Sequence, residues 1–147
     1  MSLTYGMAAK RAEYARNAVL SATPARLLTM LYDRLLLDLS RAEAAQLAAN
    51  WPVASENLVH AQAIVSELTG TLRTDVWDGA ENLKALYAYS LTTMMDANIH
   101  RSPERTRECI DLLEPLRLAW HEAAAQVPVQ GATPSAAMTP GGTLGVG

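Results

Sequence analysis

The sequence predicts an all-α fold: an antiparallel, up-and-down four-helix bundle with an N-terminal arm or short helix and a disordered C-terminal tail. Three observations predict it. Half of the 147 residues are apolar, yet Phe is absent and Ala and Leu abound. That mix favours helix over strand, because Ala and Leu lose little side-chain freedom in a helix. Apolar residues recur at helical spacing in four separate blocks. Cap residues, Pro and Gly mark short breaks between the blocks, and short links force consecutive helices to run antiparallel.

Residues 1–20 carry Tyr5, Met7, Tyr14 and Val19 on a weakly amphipathic pattern and form the arm or cap. The bundle spans residues 21–127. Its first helix, 23–49, opens at Thr23-Pro24, a hydroxyl cap followed by a proline where the missing N–H costs nothing. Leu28, Leu31, Leu35, Leu39 and Ala42 make its core face. Pro52 restarts the chain for the second helix, 52–72, with Ala54, Leu58, Ala61, Val65, Leu68 and Leu72 inward. The Asp- and Gly-bearing stretch TDVWDGA leads to the third, 79–100, with Leu83, Leu86, Tyr87, Met94 and Ala97 inward. Ser102-Pro103-Glu104 repeats the cap-and-proline signal, with an acid in the positive first turn, and opens the fourth helix, 102–126. Its core face is Cys109, Leu112, Leu113, Leu116, Trp120 and Ala123. Pro115 removes one backbone bond in mid-helix, so the end of this helix is expected to be re-aimed. Residues 128–147 are rich in Pro, Gly, Ala and Thr without periodicity, so ordering them would cost more entropy than burial returns.

Charge and composition exclude several function classes. The formal net charge is −3 and the basic residues are dispersed among acids, with Lys10 and Lys84 the only lysines. A nucleic-acid surface needs clustered cations, so none is expected. A lone Cys109 allows no internal disulfide and falls in line with core leucines. No stretch resembles a signal peptide or a membrane span, and a cytoplasmic protein is expected. His60, His100 and His121 lack a glutamate three residues earlier, so the bundle metal signature is missing. Glu56 with His60, and Asp38 and Glu43 near arginines, read as surface pairs. No phosphate-cradling glycine loop is present. No enzyme, catalytic residue, metal ligand or cofactor is expected.

What stands out is surplus apolar surface. A bundle helix needs one apolar stripe. On the first helix Met30, Leu37 and Ala44 fall opposite that stripe. On the third, Ala85, Ala88, Tyr89, Met95 and Ile99 do so; the fourth offers Ile110 and Leu118. Rows of Ala and Met accept an amphipathic helix, because Ala permits close approach and Met adapts its shape. A homodimer interface, or a helical homo-oligomeric structural protein, would use the same surface. The arm, anchored by Tyr14 and Val19, is a candidate temporary cover.

Four blocks carry a family resemblance: YARNAVLSATPARLLTMLYD, AQAIVSELTGTL, AENLKALYAY and DLLEPLRLAW, in that order between Tyr14 and Trp120. The chain resembles FliS, the flagellin-specific flagellar export chaperones. The resemblance implies an antiparallel four-helix bundle in the bacterial cytoplasm, without cofactor or catalytic step. It implies binding of the disordered C-terminal segment of flagellin in hydrophobic grooves, which holds off premature polymerisation. It further implies delivery to the type III export gate, commonly through FlhA. The expected partner-binding residues are Tyr14 and Val19 in the arm, Leu27, Met30 and Leu37 on the first helix, and Tyr89, Met95 and Ile99 on the third. Arg34, Pro115, Trp51-Pro52 and the long tail depart from the family pattern.

Overall fold

A computed structural model describes residues 6, 9–13, 23–73, 75 and 78–126. A helical stretch covers residues 9–13. Thr23 then caps α1 (Pro24–Leu47): its hydroxyl accepts from the Arg26 N–H at 3.2 Å, and Pro24 fills the first turn. The same device opens α4 (Pro103–Ala125), where the Ser102 hydroxyl accepts from the Arg105 N–H at 3.2 Å. Between them run α2 (Trp51–Gly70), with Pro52 in its first turn, and α3 (Gly79–Ile99). α4 is one helix through Pro115, the residue at which the sequence predicts that its end is re-aimed. Pro115 and Asp111 are both exposed, so the Asp111 carbonyl left without its helical donor reaches water.

The α1–α2 and α3–α4 links lie at the same end of the bundle and turn alike. Each passes through a left-handed residue that is not glycine: Ala49 at φ 58° and Arg101 at φ 52°. Each is closed by a backbone bond reaching five residues back, from Asn50 to Ala45 at 2.7 Å and from Ser102 to Ala97 at 2.9 Å. These bonds satisfy carbonyls that a helix end would leave orphaned.

The helices form a square. α1 packs on α2 and α4, α3 packs on the same two, and α1 and α3 face each other across the diagonal. The core runs through Leu35, Leu39, Leu58, Val65, Leu68, Met94, Cys109 and Leu113, all buried. Leu36, Ala45 and Ile64 join the buried set, whereas Ala123 is exposed and Leu112, Leu116 and Trp120 are half-buried. α4 thus gives least to the core.

Polar groups sit inside as well. The Tyr32 and Tyr87 hydroxyls meet across the diagonal. Gln46 donates to the Ala97 carbonyl at 3.2 Å and accepts from the Thr106 hydroxyl at 2.7 Å, tying α1 to α3 and α4. Asp38 corrects the sequence reading. It is no surface partner: its side chain is wholly buried, bonded to Arg34 at 2.9 Å and to His60 of α2. A carboxylate can be enclosed there because both hydrogen-bond partners reach in from the half-exposed rim.

Candidate functional site

α3 turns Ala80, Leu83, Tyr87, Ser90, Thr93, Met94 and Ala97 inward. At 100° per residue, Ala85, Ala88, Thr92, Met95 and Ile99 fall on the far side, and all are exposed. Next to α4 this face forms a groove of about 510 Å³ lined by Tyr89, Thr92, Thr93, Met95, Asp96, Ile99 and Arg105. Its apolar members are open to solvent: Tyr89 is 48%, Met95 44% and Ile99 74% exposed.

A chain of polar contacts stiffens the α4 rim. Arg105 bridges Asp96 at 3.1 Å and Glu108 at 3.1 Å, and His100 meets Asp96 at 2.8 Å. The Tyr89 hydroxyl donates to Glu108, which holds the Glu108 carboxyl below the usual range, with Arg105 adding to it. The same bond raises the Tyr89 phenol. Exposed pairs of this kind contribute little stability each. What they fix is the direction of Tyr89 and Arg105 at the groove's edge.

The other expected residues lie elsewhere. Leu37 is 42% exposed on the outer face of α1, while Leu27 and Met30 are half-buried there. Because α1 and α3 are diagonal, this row and the α3 row look out from opposite sides of the bundle. The structure therefore does not gather the expected residues into one groove. Ile110, expected among the surplus, is half-buried against the core, whereas Leu118 is exposed. Tyr14 and Val19 lie outside the described residues, as does the tail at 128–147.

Two hollows escaped the sequence reading. One, about 530 Å³, opens at the loop end and is lined by Gln46, Trp51, Pro52, Ala54, Ser55, Asn98, Ile99 and Arg101. The other, about 250 Å³, opens at the opposite end beside Leu28, Leu72, Leu83, Tyr87 and Trp120. Neither follows from one helix's periodicity, since each needs three or more elements to meet. Trp51-Pro52 at the start of α2 was the one available signal for the first.

Among the described residues no group of three or more His, Cys, Asp or Glu could hold a metal ion, and no helix is long and apolar enough to cross a membrane. Burial pushes the Cys109 thiol up to about 12, so it stays protonated and inert near neutrality.

The fold and its outward rows define an all-α bundle that leaves apolar helix faces open to solvent. Residues 7–127 match the family model described as flagellar protein FliS. A Bacillus subtilis protein named flagellar secretion chaperone FliS is 31% identical over 110 residues, covering 75% of this chain and 82% of that protein. A Vibrio cholerae protein of the same name is 28% identical over 103 residues, covering 69% of this chain and 76% of its own length. The chain belongs to the FliS family, a family of flagellar secretion chaperones and not of enzymes.

Proposed function

We propose that this protein is a cytoplasmic chaperone for flagellin. It binds the disordered C-terminal segment of newly made flagellin on its apolar rows, lets that segment fold as helix against them, and so blocks premature polymerisation. It then presents the client to the export gate through FlhA. The observation that carries this reading is the solvent-open row Ala85, Ala88, Tyr89, Met95 and Ile99 on α3, in a chain of the FliS family. Exposed apolar surface of this kind binds a client by removing it from water, and ordering the client takes back part of the gain. Capture should therefore depend on the client's last turns of helix.

Co-purification with flagellin, intact and shortened by its last ~40 residues, tests this; that length is two to three helices at about 1.5 Å per residue. Intact flagellin should be retained and the shortened form lost. Equal retention of both forms would place the contact elsewhere on flagellin. A particle whose size grows with concentration and which takes up no flagellin would instead point to a homo-oligomer.

A further inference from the structure

Ile99 lines two hollows at once: the groove on α3 and the cleft at the loop end. The two thus adjoin at the last turn of α3, with Ile99 between them. The cleft differs from the groove in its chemistry. Its lining is mixed: Trp51, Pro52, Ala54 and Ile99 are apolar, and Gln46, Ser55, Asn98 and Arg101 are polar. Its polar floor is already satisfied internally, since Asn98 donates to Ser55 at 3.1 Å and Gln46 is bonded at both ends of its amide. One group is left over. The Arg101 guanidinium stands 5.0 Å from the centroid of the Trp51 ring. The α4 arginines Arg105, Arg107 and Arg117 all have carboxylate partners. Arg101 has none within ion-pair distance among the described residues, and α2 carries no acid in its first turn to supply one. Stacking on an indole orients a guanidinium and leaves its planar N–H fork free for a bidentate carboxylate.

We propose that the client groove runs on past Ile99 into this cleft, and that an acidic side chain of the bound flagellin segment docks there on Arg101. The apolar part of the lining takes a side chain one helical turn from that acid, so the cleft reads an acid–apolar pair at i and i+4 and sets the register of the client helix. The charge selects and orients, while the α3 row supplies the apolar contact. This inference rests on the flagellin reading above.

The test uses the full-length chain and a ~40-residue C-terminal flagellin peptide from the same organism, with binding measured at low and high salt. Arg101→Asn removes the charge and keeps a residue tolerant of positive φ; Arg101→Glu reverses it. Both are exposed, and circular dichroism establishes that each variant is folded. Arg101→Asn should weaken binding by about tenfold and flatten its salt dependence. Arg101→Glu should weaken it further, and exchanging one client acid for lysine should restore it. If the unaltered chain binds and both variants bind equally well, the inference is overturned and the flagellin reading stands. If the unaltered chain fails to bind, that reading falls and this one with it.

Discussion

The hydroxyls of Tyr32 and Tyr87 meet where α1 and α3 face each other, and both side chains are buried. Burial raises both phenols above the ordinary range, Tyr87 more strongly because Tyr32 also sets itself against its ionised form. Trp120 turns its indole N–H toward the same spot and favours ionised Tyr32, but without bond geometry, so that donor has no partner among the described residues. Each hydroxyl is the other's answer to desolvation. Tyr32→Phe or Tyr87→Phe alone strands its mate and should lower stability by about 1–3 kcal/mol. The double change removes both groups, so its loss in urea unfolding should fall short of the sum of the singles; strict additivity would mean the hydroxyls are not bonded. The pH dependence has a definite direction. A raised folded-state value gives stability that is complete below about 10, where the unfolded phenol ionises, and is lost as pH climbs toward the folded values. The double Phe variant should therefore lose less stability than the parent above about pH 10.

Of α1–α4, α4 has the fewest buried residues, and ion pairs join its rim to α1. Arg107 forks onto Glu43 with bonds of 2.9 and 2.6 Å; Arg117 reaches Asp33 at 3.0 Å and His121 reaches it at 2.6 Å. Slight burial would raise the Asp33 carboxyl, but His121 and Arg117 outweigh it and hold the group below the usual range. Arg117 holds Glu114 down in the same way. With folded values depressed, the unfolded chain takes up protons first. The stabilisation is thus present above about pH 4 and is lost as pH falls below it. The urea midpoint should drop between pH 5 and pH 3, and Asp33→Asn should shrink that drop; an unchanged drop would remove this seam as its cause. Sequence made the helices legible, because their signals are local: Thr23 and Ser102 each cap within three residues of themselves. It could not show what arrives from another helix. Asp38 looked like a surface acid because its neighbour in sequence is Arg34; the chain around it is closed by α2 and His60, twenty-two positions on.

For the molecule as a whole, the same limit shaped the site. Helical periodicity found Leu37 on α1 and Met95 and Ile99 on α3 as surplus, and these are exposed. Periodicity within one helix carries no information on ring order, so it could not tell that α1 and α3 stand on a diagonal and turn those residues to opposite sides. The separation has a consequence for the client. Helices packed about 10 Å apart make a square bundle roughly 20–25 Å across. A client segment of about 40 residues spans up to about 60 Å as helix, enough to pass around the bundle. A wrapping client would touch both faces, while a short one would touch only one. Leu37→Glu and Met95→Glu separate these cases. At such exposed positions a charge should change folding stability by no more than about 0.5 kcal/mol, but it cannot be desolvated against an apolar helix without a large penalty. For a wrapping client each variant alone should weaken flagellin binding by about tenfold or more, and the pair together should abolish it. Full binding by Leu37→Glu, with binding lost in Met95→Glu, would confine the client to the α3 side and leave the outer row of α1 to some other contact.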